Sequence, residues 1–370
     1  MKNTFGNSIS LTLFGESHGE IIGAVLDGLA PGILVNEEEI ASFLALRRPS
    51  GSISTSRIEA DKFKIVSGVF KGYTTGTPLT ILIPNENTKS GDYERTANLA
   101  RPGHADFTAN EKYHGYEDYR GGGHFSGRIT APIVAAGAIL ISALRSKGIR
   151  IGSHILSLAD VCDRPFDEAN AENDIALTES SAFSVLDESS RSKMIEAIND
   201  AKSKGDSVGG VLETLITGLP SGVGEPWFDS LEGMLSHAIF SIPAVKGIEF
   251  GAGFSLAKML GSEANDQFRI TNEKIETVTN NNGGINGGIS NGMPIRFKTA
   301  IKPTPSISIP QNTVDLLNGE NSIIEIVGRH DPAIIHRARI VVDAITALVL
   351  ADMLSTRFGT DYLANGQKDI

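Results

Sequence analysis

Apolar and polar positions alternate from residue 8 to 14, break at the glycine turn GESHG (Gly15–Gly19), and resume from Ile21 to Asp27. That pattern predicts two short strands joined by a tight turn. GLAPG (Gly28–Gly32) is a further turn, and Asn36 with Glu39 three residues on forms a helix cap ahead of IASFLALRR. Residues 63–84 give strand, turn, strand, a hairpin in an antiparallel sheet, and Asn85–Asn98 is a polar surface connection. After Arg128 comes ITAPIVAAGAILISALRSKG, closed by Gly148. It is apolar on nearly every face, which predicts a helix buried all round. Residues 151–188 are acidic and read as peripheral, and Ser189–Gly205 is an amphipathic surface helix with a glycine stop. NNNGGINGGISNG (280–292) reads as a flexible turn.

A repeat reorganises this picture. GDSVGGVLETLITGLPSG (205–222) echoes GESHGEIIGAVLDGLAPG (15–32). GTPL (76–79) then matches GMPI (292–295), and Arg101-Pro102 matches Lys302-Pro303. Finally the apolar stretch opened by Arg128-Ile129 and ended at Gly148 matches the one from Arg339-Ile340 to Gly359. Four matches in the same order predict two similar halves, approximately 8–150 and 205–360, within a single domain spanning 1–370. Each half is mostly antiparallel sheet plus one long apolar helix. Such helices need cover on several sides, so the expected fold is α+β, with the helices back to back between two sheets about a pseudo-twofold axis.

Composition narrows the function. At 370 residues, 40% hydrophobic and 21% charged, the chain has the make-up of a soluble globular protein. A net charge of −11 argues against a nucleic-acid binder and makes local arginine clustering more informative. Cys162 is the single cysteine, so there is no internal disulfide or multi-cysteine metal site, and a cytoplasmic setting is expected. No basic region followed by an apolar core opens the chain, and the most apolar run, Ile129–Leu144, is broken by Thr130, Pro132 and Ser142. Neither a signal peptide nor a membrane span is expected.

The candidate chemistry centres on Arg101–Arg128, where RPGHADF and YRGGGHFSGR gather Arg101, Arg120 and Arg128 with His104, His124 and three consecutive glycines. Guanidinium forks suit phosphate or carboxylate, the glycines let a ligand approach the backbone, and histidine changes charge near neutral pH. His18 sits on a turn between strands, either incidental or at a sheet end where chemistry is common. Arg47 and Arg48 precede Pro49 and a polar loop reaching Arg57. They either compensate a helix dipole or ride on a mobile flap. In the second half, KPTPS (302–306) and GRHDP (328–332) add Lys302, Arg329, His330 and Asp331. Asp331 is either a salt-bridge or capping residue ahead of Pro332, or part of a crevice where the loops of both halves converge.

Taken together, GESHGEIIGAVLDG, GGGHFSGRITAPIVAAGAI and GRHDPAIIHRARIVVDAI resemble the three signatures of the chorismate synthase family. RRPSG, SGVFKGYTTGTPL, RPGHADFT, GVGEP, AVKGIEFG and KPTPSI fill the intervals. The resemblance covers almost the whole chain. It implies a β-α-β sandwich and a homotetramer. The implied reaction is conversion of 5-enolpyruvylshikimate 3-phosphate to chorismate and phosphate, an anti-1,4-elimination that uses reduced FMN without net redox change. NADPH would enter only indirectly, through an external flavin reductant, since the chain shows no additional nicotinamide fingerprint.

By the same resemblance, Arg48, Arg57, Arg101, Arg128 and Arg337 hold the substrate anions. Arg47, His124, Phe125, Ser126, Ala244, Gly287, Lys302, Pro303, Thr304, Pro305, Ser306 and Arg329 match flavin positions. His18 matches the general acid for the departing phosphate, His104 the group that stabilises anionic reduced flavin, and Asp331 the group assisting proton removal from its N5. Several positions depart from the family pattern. Leu46 replaces an arginine, and the RRP loop is one residue short. His124 stands where arginine is common, and Pro243 where asparagine is. Ala30 and Asp343 also differ from the signatures. Two other classes remain open on sequence: a flavin-dependent oxidoreductase acting on a phosphorylated substrate, and a non-catalytic phosphometabolite sensor.

Overall fold

A computed structural model describes residues 2–49, 51, 53–54, 60–86, 97–179, 181–326 and 331–364. It is a mixed α+β structure with several antiparallel sheets. The first five-stranded sheet runs, in spatial order, Thr4–Phe5, Ser10–Phe14, Ile21–Asp27, Leu79–Pro84 and Lys64–Ser67. Along Leu79–Pro84 the residues Leu79, Ile81 and Ile83 are buried in alternation, which is the period-two pattern of a strand with one face on the core. The second runs Val245–Phe250, Ile295–Ile301, Gly210–Thr217, Arg150–Leu158 and Val161–Cys162. There Ile295, Phe297, Thr299 and Ile301 face inward in the same way.

Two long helices fill the core. Thr130–Ser146 packs on Ile335–Phe358 and on strands Ile21–Asp27 and Leu79–Pro84. Ile335–Phe358 packs in turn on Arg150–Leu158 and Gly210–Thr217. The helices approach so closely that a Cβ on Gly137 would lie 2.3 Å from Cβ of Ala344. Thr130–Ser146 with its preceding turn is apolar and long enough to cross a membrane, yet 89% of that window is buried inside the protein. Asp352 on the last helix accepts hydrogen bonds from the backbone N–H groups of Asn7, Ser8 and Ile9, which pins the chain's first turn to the core.

The helix Glu37–Arg47 is capped by Asn36 as expected, its side chain accepting from the N–H groups of Glu38 and Glu39. The helix Glu188–Ser203 also matches. Between Arg101 and Arg120 lies a further helix, Asp106–Tyr113. Two expectations need correction. The 280–292 segment is no mere loop: it carries the hairpin Ile285–Asn286/Ile289–Ser290, with Ile285 buried.

Residues 151–188 are not peripheral either. They include most of Arg150–Leu158, which is buried over much of its length. Its polar residues hid it, because they are paired inside. Ser153 donates to Asp343 on the last helix, and His154 lies on the opposite pleat between Asp163 and Glu213, 3.1 Å from each. Asp343 also meets Arg339 one turn earlier at 3.0 Å.

Burial works against a charged His154, but the two carboxylates outweigh it and raise its pKa. An ionised carboxylate only accepts, so both ring nitrogens carry protons. The stability this contributes is complete below the unfolded histidine value of about 6.5 and is lost as pH rises through the elevated folded value. We therefore expect the thermal midpoint to fall with rising pH across that window, and His154→Gln to remove that part of the slope. Thermal scans giving equal slopes for the two proteins would show the imidazole to be neutral.

Candidate active site

The turn GESHG leaves strand Ser10–Phe14 and re-enters at Ile21, and Pro84 pairs with Ile21 at the same end of the sheet. Asn85 holds the turn there, its side-chain amide donating to the carbonyls of Glu16 and Gly19 at 3.0 and 2.8 Å. The triple glycine docks on this turn. Ser17 N–H donates to the Gly123 carbonyl at 3.1 Å, and His124 Nδ1 donates to the Gly15 carbonyl at 2.8 Å. Ser17 Oγ reaches the carbonyls of Arg120 and Gly121 and His18 Nδ1, each at 3.1 Å. With its single proton directed to a carbonyl, the hydroxyl accepts from His18 Nδ1.

The glycines set the spacing of the two histidines. Gly121 has φ +59° and a Cβ there would lie 2.1 Å from Cε1 of His18. Gly122 has φ +83° and a Cβ there would lie 3.2 Å from Cε1 of His104. One glycine loop thus brings His18 and His104, 86 positions apart by their numbering, to its two neighbouring residues.

Each cation of the cluster has an aspartate. Asp106 accepts from Arg101 through Nε and Nη2, both at 2.7 Å, and from His104 Nδ1 at 2.6 Å. Burial pushes the Asp106 carboxyl up, but the bonds from His104 and Arg101 overcome this and hold it well below the usual carboxylate range. It therefore stays an acceptor and fixes the His104 proton on Nδ1. Asp118 takes Arg120 through two bonds of 2.8 Å. Asp61, fully buried, takes Arg47 Nη2 at 2.9 Å, Arg128 Nη1 in a short contact, and lies 3.8 Å from Arg48 Nε. Arg337 pairs with Asp331 and donates through Nε to the Arg47 carbonyl at 2.8 Å.

The second-half loops join from the other side. Lys302 Nζ donates to the Gly103 carbonyl, and Lys302 N–H to the carbonyl of Ala244, whose φ is +75°. Ser207 Oγ donates to the Thr304 carbonyl at 2.7 Å, and Val208 N–H to the Pro332 carbonyl at 2.8 Å. A Cβ on Gly103 would lie 3.4 Å from Pro305. Pro303 packs against Gly209. Phe125 meets Tyr113 edge-on, and Ser126 Oγ accepts from Arg128 N–H. Ser306 lies in the same loop, half-buried. Gly287 is elsewhere in its contacts: it tips a hairpin bonded to Val223 and Leu231. Arg57, Arg329 and His330 fall outside the described residues, as does most of the loop after Pro49.

Arg47 is neither a simple dipole counter-charge nor a flap residue, because its side chain is buried on Asp61. Sequence reasoning missed Asp61, Asp106, Asn85 and His336. Asp106 and Asp118 lie two residues from His104 and Arg120, a spacing that could have revealed them. His336 bonds Ser54 Oγ at 2.9 Å, and burial with the neighbouring Arg337 charge pushes its pKa down to about 3, so it is a neutral partner.

Arginines on aspartate supports beside two glycine-spaced histidines define an enzyme site for an anionic ligand. Comparison with known proteins gives the chemistry. The family model for chorismate synthase matches residues 9–355. A chorismate synthase of Dehalococcoides mccartyi is 46% identical over 354 residues, covering 95% of this chain and 96% of its own. One from Thermococcus gammatolerans is 45% identical, covering 95% and 97%. A crystal structure of chorismate synthase superposes with a TM-score of 0.77 at 29% identity, covering 97% of this chain and 95% of that one. The chain belongs to the chorismate synthase family, the phosphate-eliminating lyases of the shikimate pathway.

The glycine spacing is directly testable. Gly121→Ala combines an unfavourable positive φ with displacement of His18, and a misplacement of that kind costs on the order of a hundredfold in rate. We expect chorismate formation to fall by about that factor while the protein stays folded by circular dichroism. Full activity would show that this loop does not set the position of His18.

Proposed function

We propose that the chain eliminates phosphate from 5-enolpyruvylshikimate 3-phosphate in an anti-1,4 sense, with reduced FMN as its cofactor and no net redox change. The observation that carries this is the pair His18 and His104 on either side of one glycine loop, backed by arginines on aspartate supports. Arg48, Arg57, Arg101, Arg128 and Arg337 bind the phosphate and carboxylates of the substrate. His18 holds the proton for the departing phosphate as general acid, oriented through Ser17.

The residues present fit a flavin. Thr304 Oγ1 is buried with no hydrogen-bond partner among the described residues, in the same loop as Lys302, a cation bonded to the Gly103 carbonyl. Such an orphaned group suits a ligand with several acceptors. Lys302 to Ser306, Ala244, Arg47, His124, Phe125, Ser126 and Arg329 hold the cofactor, with Gly287 at a greater remove. When bound, reduced FMN supplies electron density to the reacting ring and a basic site for the ring hydrogen. His104, oriented by Asp106, would balance negative charge on the cofactor, and Asp331, held by Arg337, would assist removal of its proton.

The fold reading extends to a β-α-β sandwich of two halves about a pseudo-twofold, in one domain. The helix-on-helix contact flanked by a sheet on each side supports it, as does the family match running through both halves. We place the enzyme in the cytoplasm as a homotetramer, with an external flavin reductant drawing on NADPH and no nucleic-acid or membrane partner. Exposed Phe268, Ile270 and Ile275 on one hairpin supply apolar surface for subunit contact.

The test is anaerobic, with enzyme, pre-reduced FMN and substrate but no NADPH. Many chorismate molecules per flavin are expected. One reduced flavin consumed per product would instead mean a redox enzyme, and no product despite flavin binding a sensor. His18→Ala and His104→Ala should each lower turnover by about 100- to 10,000-fold, the usual reach of a single acid–base group. Undiminished turnover in either variant would remove that histidine from the mechanism.

A further inference from the structure

Asp61 is buried to its carboxylate, has the left-handed φ of +48° that a non-glycine residue rarely takes, and sits between cations from two distant segments. Oδ2 takes Arg47 Nη2 at 2.9 Å and lies 3.8 Å from Arg48 Nε, while Oδ1 takes Arg128 Nη1. Arg128 is fixed at two further points, Nε to Asn85 Oδ1 at 3.0 Å and Nη2 to the Pro84 carbonyl at 3.2 Å. Arg47 Nη1 also points at the Gly127 carbonyl at 3.5 Å.

The first turns of both long helices come to this place. Gly127 and Arg128 precede Thr130–Ser146, and Arg337 of Ile335–Phe358 donates to the carbonyl of Arg47. Helix N-termini carry partial positive charge. Arg47, Arg48 and Arg128 therefore gather with two positive helix ends beside the negative C-terminal end of Glu37–Arg47, while Arg337 is held by Asp331. One carboxylate against Arg47, Arg48 and Arg128 relieves part of their repulsion. It also fixes the direction of the Arg47 and Arg128 guanidinium planes through hydrogen bonds, because a carboxylate is directional where a mobile counter-ion is not, and it draws Arg48, 3.8 Å away, by charge alone.

We propose that Asp61 is a positioning residue for the substrate: its carboxylate orients the Arg47 and Arg128 guanidinium groups and holds Arg48 beside them by charge, so that the substrate meets a preformed anion site. This rests on the reading that Arg48 and Arg128 bind substrate anions. It adds that the array depends on an acid with no direct role toward the substrate.

The sign of the effect separates positioning from bulk charge. Asp61→Asn raises the local charge by one unit, so long-range attraction alone would lower KM for the anionic substrate. Loss of positioning raises it. We expect KM for 5-enolpyruvylshikimate 3-phosphate to rise about tenfold or more, since displacement of binding groups is costly. An unchanged or lowered KM overturns the proposal. Merely structural damage reduces the fraction of active enzyme, which lowers apparent kcat and leaves KM alone.

Should Asp61→Asn fail to fold, Asp61→Glu keeps the charge and shifts the carboxylate by one methylene. A KM raised several-fold is then expected, and a parental KM overturns the proposal. Arg48→Ala distinguishes the two levels of inference. If it leaves KM unchanged, the substrate-binding reading beneath the proposal fails. If it raises KM while Asp61→Asn does not, only the positioning role fails.

Discussion

Positive charge gathered at one place on a chain of net charge −11 must be held against its own repulsion, and one buried and three half-buried aspartates do this here. Asp61, Asp106, Asp118 and Asp331 each take at least one arginine, and Asp106 takes His104 as well. The cost of burying these carboxylates is offset because each has directed, charge-assisted partners. Without them the arginines would point to solvent and the site would be a diffuse basic patch. With them, guanidinium planes are fixed before any ligand arrives, which lowers the ordering cost of binding.

The backbone contributes the second constraint. His18 and His104 come together because residues without Cβ lie between them, and no side chain at Gly121 would fit against the His18 ring. The same loop is braced by Ser17 and His124 from the GESHG turn, so the position of one histidine is tied to the other. His124 stands where the family commonly has arginine, and its Nδ1 goes to the Gly15 carbonyl. That bond braces the turn without the permanent charge an arginine would bring.

Much of this was legible in the sequence, for physical reasons. Strand alternation, the Asn36 cap and the all-round apolarity of Thr130–Ser146 are local patterns, and the structure reproduces them. Glycine-flanked histidines also declare themselves, since few other roles need such a run. What was hidden depends on contacts between distant residues. Arg150–Leu158 did not read as a core strand because Gly152, Ser153 and His154 interrupt its apolar run, and only partners on other elements make them inside residues. Asp61 is separated from Arg128 by 67 positions and has no motif of its own. Asp106 and Asp118 were within reach, because a carboxylate two residues from its cation can fold back on it.

The arrangement also bears on why an acidic protein should carry this chemistry. A substrate with one phosphate and two carboxylates is repelled by the chain's average charge, and only a local concentration of cations can reverse that at short range. Sharing aspartates among the arginines limits how far the positive field extends, since the paired part of the charge cancels beyond a few ångströms of the surface. The anion therefore gains most at the site itself and little on the way to it. Selectivity in such a pocket comes from the geometry of the forks, which must match phosphate and carboxylate oxygens together. Total charge alone would hold any polyanion. The aspartate supports turn charge into shape beside two histidines held apart by one glycine loop.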